Sequence, residues 1–200
     1  MRALLALIGF LIIAGCGKTD SINQPTEDQA WFPMANGYQW RYQDSLGPTT
    51  ANTVTEVVSS SIDSSGVTWW NVSNQSFATA FMGDKIALRN DSVFSQIATR
   101  LGQKRLGLLL VPSRDTTFIF MRGESDVVFF IRVTPGTMPC QVPAGSFLHW
   151  ASYVSDNGLE KDSLVIATGI GVLSRTLTGV GYPGRPAFLN RSLLLTYKLR

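Results

Sequence analysis

The sequence has 200 residues, of which 44% are hydrophobic and only 16% charged, with a formal net charge of +3. This is the composition of a globular protein, with chain enough for one well-buried domain. It excludes a disordered polyelectrolyte, and the charge is too mild for the concentrated basic face that nucleic-acid binding requires.

A single charge, Arg2, precedes the uncharged run from Ala3 to Gly15, which closes as Leu11-Ile12-Ile13-Ala14-Gly15-Cys16. A charged start, a short apolar stretch and small residues before a cleavage point make a secretory signal. A membrane-spanning helix needs about 20 apolar residues, so this run is too short to be a permanent span. Its end, Ile13-Ala14-Gly15-Cys16, resembles the bacterial lipobox. The resemblance implies cleavage between Gly15 and Cys16, a diacylglyceryl group on the Cys16 sulfur, and acylation of the new amine by a chain such as palmitate. Each buried methylene is worth about 0.8 kcal/mol, so two or three acyl chains anchor a protein for good. Gly17, in place of an acidic residue, implies by the same resemblance the outer membrane, facing the periplasm. A chance cysteine is the poorer reading, because helix-breaking Gly15 and Gly17 flank the thiol and a polar stretch follows at once.

Cleavage leaves 185 residues and, without Arg2, a net charge of +2. Of the two remaining cysteines Cys16 is committed to lipid, so Cys140 has no intramolecular partner even in an oxidising compartment. A lone thiol of this kind is more often buried and inert than reactive. Residues 16–30 are polar and read as the lipidated terminus and a flexible tether, with a single β-rich domain over 31–200.

From Trp31 onward the punctuation belongs to β-structure. Asn36-Gly37 marks a turn, after which Tyr38, Trp40 and Tyr42 alternate with Gln39, Arg41 and Gln43, giving one aromatic face. Residues 50–60 are rich in Thr, Val and Ser. Asp63-Ser64-Ser65-Gly66 turns the chain into a strand from Val67 to Val72. Segments 86–89 and 92–95 flank Asn90-Asp91 as a two-residue hairpin. Further strands are predicted over 106–111, 117–121, 127–133, 147–154, 163–167, 172–177 and 193–199. Spacings of about 8 to 15 residues, with Gly, Pro, Asn or Asp between, suit an antiparallel meander. Only 94–103 has a helical spacing, Ile97 and Leu101 being four apart, with Gly102 as the stop. The expected fold is all-β, an antiparallel meander forming a sandwich or a curved open barrel.

Several strands are apolar on successive residues: 106–111, 117–121, 127–131 and 193–195. A sheet with one wet face alternates, so continuous runs mean that both faces are covered. A second sheet, a helix, a partner or an apolar ligand would do this. A packed core is the simpler explanation and a greasy cavity the sharper one.

Catalytic patterns are scarce. The one histidine, His149, lies in the alternating segment Ser146-Phe-Leu-His-Trp-Ala-Ser-Tyr153, and neither G-x-S-x-G nor S-x-x-K is present. It reads as a structural residue pointing away from the face of Leu148 and Trp150. His149 and Cys140, nine residues apart, make no zinc site without carboxylates brought in by the fold. Gly179-Val-Gly181-Tyr-Pro-Gly184 has the spacing of a dinucleotide fingerprint, but Pro183, Gly184 and Pro186 forbid the helix that must begin inside it. No acidic residue follows it, so the segment reads as a loop. Glu124 and Asp126, and Asp156, Glu160 and Asp162 around Asn157-Gly158, are spaced as solvated turn residues. Paired carboxylates hydrolyse glycosides only where a cleft sets them apart. Arg100, Lys104 and Arg105 form the one local basic cluster, a solvated loop by default or a contact to anionic lipid. No catalytic residue, metal ligand or cofactor is called.

Three stretches resemble a group of uncharacterised bacterial lipoproteins. Trp31-Phe-Pro-Met-Ala-Asn-Gly-Tyr-Gln-Trp-Arg-Tyr42 is similar to their F-P-L-x-x-G-x-x-W-x-Y opening. Val142-Pro-Ala-Gly-Ser-Phe147 is similar to their V-P-A-G-T-F segment, and Thr168-Gly-Ile-Gly-Val-Leu173 to their G-V-G-x-V/L strand. The departure is Leu148-His-Trp150, bulkier than the polar strand usual after V-P-A-G-T-F. The resemblance implies a β-rich envelope domain with no established activity. Physically, Pro143 and Gly145 shape a turn, Phe147 plugs a core, and Trp40 and Tyr42 pack the first strand.

The functional expectation is a monomeric, membrane-anchored lipoprotein, a non-enzymatic binding or structural module of the envelope. Its partners would be the membrane and an apolar ligand or envelope protein, with no nucleic acid. The alternatives are a carrier of apolar ligands, lipids or lipoproteins with a half-barrel cavity, and a hydrolase using carboxylates alone.

Overall fold

A computed structural model describes residues 32–89, 92–99, 102–109, 116–121, 128–181, 183–184 and 186–199. The predicted signal, Cys16 and the tether lie outside them. Among the described residues twelve strands form one antiparallel sheet. In chain order its members are β1 (Gln39–Leu46), β2 (Thr49–Ile62), β3 (Thr68–Asn74), β4 (Lys85–Arg89), β5 (Ser92–Thr99) and β6 (Gly102–Leu109). These are followed by β7 (Thr116–Met121), β8 (Val128–Pro135), β11 (Trp150–Asp156), β12 (Glu160–Ala167), β13 (Gly171–Gly179) and β14 (Phe188–Lys198). Between β8 and β11 the short strands β9 (Cys140–Val142) and β10 (Gly145–Phe147) make a separate hairpin. The sheet order is β6-β5-β4-β3-β2-β1-β14-β13-β12-β11-β8-β7.

That order is a meander whose last strand, β14, returns to pair with the first. The two outer strands, β6 and β7, are consecutive in the chain, and among the described residues they are not paired. The fold is therefore an all-β antiparallel sheet opened at one seam and not closed into a barrel. Register shifts between Arg41 and Tyr42, Val57 and Ser59, and Val165 and Ile166 interrupt the ladders. Bulges of this kind bend the strand and increase its twist.

The alternation read from β1 is the alternation observed. Trp40, Tyr42 and Asp44 are buried while Arg41 and Gln43 are exposed. The ladders continue that inner face across the sheet: Thr55 on β2 opposes Trp40, Ser192 on β14 opposes Asp44, and Leu164 on β12 opposes both Tyr153 and Arg175. One core forms on this face from Trp40, Tyr42, Val57, Val72, Ile86, Val133, Tyr153, Ile166, Val172 and Leu194. It is covered by the protein's own chain. Phe32 and Met34 enter from the N-terminal side, and Ala78 and Met82 from the segment between β3 and β4, which holds a single 3-10 turn at Ala80–Met82.

The turns follow their sequence signals. Tyr38 N–H closes on Ala35 O at 3.0 Å, with Gly37 at φ 83°. The Asp63 carboxylate accepts from the Ser65 and Val67 amides, the Ser65 hydroxyl and the Trp69 indole. Arg89 opposes Ser92, and the predicted turn residues 90–91 between them lie outside the described residues.

Two expectations are corrected. Residues 94–99 and 102–103 are not helical: Phe94 opposes Gly107 and Ile97 opposes Lys104, so they belong to β5 and β6, with 100–101 outside the described residues. A single i, i+4 pair is weak support for a helix, and the β-branched and aromatic residues Val93, Phe94 and Ile97 favour the pairing. The predicted strand 147–154 is broken at Leu148-His149, which bend the chain between β10 and β11.

Candidate functional site

On the sheet's inner face a cluster of polar chemistry centres on Asp44. This residue continues the two-residue period of Trp40 and Tyr42, so its carboxylate enters the core, where it is 3% exposed. Four donors meet it. Thr53 Oγ1 at 2.6 Å and the Phe77 amide at 3.0 Å donate to Oδ2, while Ser76 Oγ at 3.1 Å and the Ser192 hydroxyl donate to Oδ1. An ionised carboxylate in low dielectric requires this many donors to offset its lost hydration. Every one of them belongs to the chain itself, which makes Asp44 a clasp between β1, β2, β14 and the segment after β3.

A second clasp lies beside it. Arg175 on β13 donates Nε and Nη2 to the Asp162 carboxylate on β12 at 3.0 and 2.6 Å. Its Nη1 reaches Phe77 O at 3.0 Å, and its guanidinium lies 4.5 Å from the Phe77 ring centroid and 5.5 Å from that of Phe81. A planar fork with aromatic faces against it is a task for arginine, not lysine. Thr55 and Thr79 add a buried hydroxyl pair at 2.6 Å. Residues 76–81 are thus fastened to β1, β2, β13 and β14.

The other end of the inner face is aromatic. Trp40 Nε1 donates to Ile170 O at 2.6 Å and Tyr42 Oη to Val172 O at 3.0 Å. Burial holds the Tyr42 phenol well above its ordinary value, and the Asp44 charge adds to the effect. Phe32 stacks on Trp40 with centroids 5.8 Å apart and also covers Gly171, where a Cβ would come within 3.2 Å of the ring. Gly171 at φ 98° suits glycine on conformational grounds as well. The Val142-Pro-Ala-Gly segment forms the β9–β10 turn as read. Its Ala144 amide donates to Leu194 O at 3.1 Å, and Phe147 packs on Tyr197 at 6.3 Å.

The residues singled out from sequence are dispersed. His149 is exposed in the bend before β11, and its carbonyl accepts from the Thr168 amide at 2.9 Å. Cys140 opens β9 half-buried, and burial pushes its thiol up. Asp156 accepts from Gly158 N–H in the β11–β12 turn, while Asp162 faces Arg175. Gly179 ends β13, and the described residues between it and Phe188 lie in neither helix nor strand. Lys104 and Arg105 lie in β6. Gly15, Cys16, Arg100, Glu124 and Asp126 lie outside the described residues. Among the described residues no group of three His, Cys, Asp or Glu side chains is placed to hold a metal, and no helix is long and apolar enough to cross a membrane. A depression of about 190 Å³ lies between β2, β1 and β14, lined by Gln39, Arg41, Val54, Thr196, Tyr197 and Lys198.

The Asp44 and Arg175 clasps were not anticipated. Their signal was available: Asp44 falls on the aromatic parity of β1, where a carboxylate has to be satisfied from within.

No family model and no curated protein matches the sequence. Among solved structures the fold is similar to the crystal structure of a "putative lipoprotein" from Parabacteroides distasonis ATCC 8503, at 10% identity and a TM-score of 0.40, over 84% of this chain and 99% of that one. A likeness of that degree carries no functional argument.

Proposed function

We propose that this chain is a bacterial lipoprotein, anchored through Cys16 in the outer membrane and facing the periplasm. Its β domain would serve there as a monomeric, non-enzymatic binding or structural module of the envelope. The observation that carries the anchoring is the sequence Ile13-Ala14-Gly15-Cys16 behind a charged start and a short apolar run. The module reading is supported by how the inner face is filled. Phe32, Met34, Ala78 and Met82 occupy it, and the carboxylates of Asp44 and Asp162 are taken up by donors of the same chain. A carrier would need that space for its ligand, and a carboxylate hydrolase would need those oxygens free for substrate and water.

The test is Cys16→Ser in the native host. The variant should lose label from radioactive palmitate and remain as uncleaved precursor or as soluble protein. A Cys16→Ser protein that still takes up palmitate and partitions into detergent would refute the anchoring.

A further inference from the structure

We propose that the end of the sheet bearing Met138 and Leu148 is the face that the domain lays on an anionic phospholipid bilayer. The proposal rests on the anchoring read at Cys16 and adds an orientation to it.

Contacts fix which elements share that end. Phe32, where the described chain begins, stacks on Trp40, whose indole bonds Ile170 O in the β12–β13 turn. In the same turn Thr168 N–H bonds His149 O, which puts Leu148 alongside. Met138 is held to the same place through its carbonyl, which accepts from Trp150 Nε1 at 2.7 Å. The anchor thus joins the domain at the end where these two loops emerge. Cys16 and Phe32 are 16 residues apart, so the join can stand at most about 55 Å from the membrane. Held this near, a surface needs little intrinsic affinity to dock.

The surface there is suited to lipid. Met138, whose carbonyl holds the half-buried Trp150, and Leu148, two residues before it, are 73% and 66% exposed. Exposed large apolar side chains beside an indole are the usual equipment of interfacial binding. The β2–β3 hairpin runs six residues past Glu56, which opposes the first residue of β1, and carries Ile62, 72% exposed, beyond the same end. The Asp63 carboxylate at its tip is occupied by the turn it closes. Lys198 lies in register with Gln39 at this end and Arg41 two residues on, both exposed and available to anionic head groups. The opposite end also exposes Leu46, Leu159, Val180 and Leu189. Each end carries charges of both signs, Glu56 and Asp63 with Arg41 and Lys198 at this one, Asp156 and Glu160 with Lys161 and Arg191 at the other, so it is the join to Cys16 that selects between them.

The experiment uses the full, lipidated chain with Cys140→Ser, so that an introduced cysteine is the only free thiol. Nitroxide labels at Leu148→Cys or Leu159→Cys are compared in vesicles of phosphatidylethanolamine and phosphatidylglycerol. Collision with oxygen and with a neutral nickel chelate is measured, and Cys16 acylation is read by intact mass on the same samples. The Leu148 label should gain oxygen contact and lose nickel contact several-fold on reconstitution, while the Leu159 label stays aqueous. An acylated protein with an aqueous label at Leu148, or an immersed one at Leu159, overturns the orientation and leaves the anchoring intact. A bare Cys16 overturns the anchoring, and the orientation falls with it.

Discussion

Replacing Asp44 with alanine removes the acceptor for four donors at once. Three are hydroxyls, of Thr53, Ser76 and Ser192, and these can rotate towards one another; Ser76 and Ser192 are already 3.3 Å apart. The fourth, the Phe77 amide, is fixed by its backbone and has nowhere to turn. A buried donor left unsatisfied costs about 1–3 kcal/mol, and each bond to a charged acceptor is worth about 1.5–3 kcal/mol net. Relief from burying a carboxylate offsets part of the sum, so Asp44→Ala should destabilise by about 3–5 kcal/mol. For a domain of this size that lowers Tm by roughly 10 °C. Urea unfolding is the assay: the midpoint should fall with an unchanged slope, since native compactness is retained. Asp44→Asn keeps one carbonyl oxygen for the hydroxyls but turns an amide towards other donors, so it should cost less, about 1–3 kcal/mol. Limited proteolysis should find the new weakness between residues 75 and 84, the segment that the clasp holds. An Asp44→Ala protein within about 0.5 kcal/mol of wild type, the range of an ordinary surface substitution, would refute the reasoning.

Other expectations follow from single contacts. Because folding raises the Tyr42 phenol above its ordinary value of 10.0, the unfolded chain releases that proton first, and stability falls as pH rises above about 10. Tyr42→Phe should cost about 1–2 kcal/mol at neutral pH through its lost bond to Val172 O, and its deficit should shrink by up to about 1.4 kcal/mol per pH unit in alkali; a deficit independent of pH would contradict this. Gly136→Ala would place a methyl 2.0 Å from the Trp150 ring, so it should shift Trp150 fluorescence and cost about 1–3 kcal/mol, and an unmoved spectrum with unmoved stability would count against the packing. Arg175→Lys keeps the charge but cannot serve Asp162 and Phe77 O together, so it should lose about 1–3 kcal/mol in denaturant titration where wild-type behaviour would show the fork to be idle.

Local signals made much of this fold legible. The period-two run through Trp40 and Tyr42 predicted which side of β1 is buried, and Asn36-Gly37, Asp63–Gly66 and Asn157-Gly158 marked turns because each carries a residue suited to positive φ or a carboxylate or amide able to cap the backbone. Non-local pairing was not legible. Nothing in residues 94–103 states that Ile97 will face Lys104, and a lone helical spacing competed with strand propensity until the partner strand was known. The break at Leu148-His149 has the same origin, for it depends on a bond from Thr168 almost twenty residues away. The clasps were half visible. Asp44 kept the parity of its aromatic neighbours, but only Thr53 comes from the adjoining hairpin, while Ser76, Phe77 and Ser192 arrive from the segment after β3 and the returning β14. Gly15 and Cys16 were read entirely from sequence, and they lie outside the described residues.

The most direct measurement for the whole account is the intact mass of the protein extracted from membranes in mild detergent. A chain beginning at Cys16, heavier than its polypeptide by a diacylglyceryl group and an amide-linked acyl chain, is the predicted result. An unmodified polypeptide, or one still carrying residues 1–15, would contradict it.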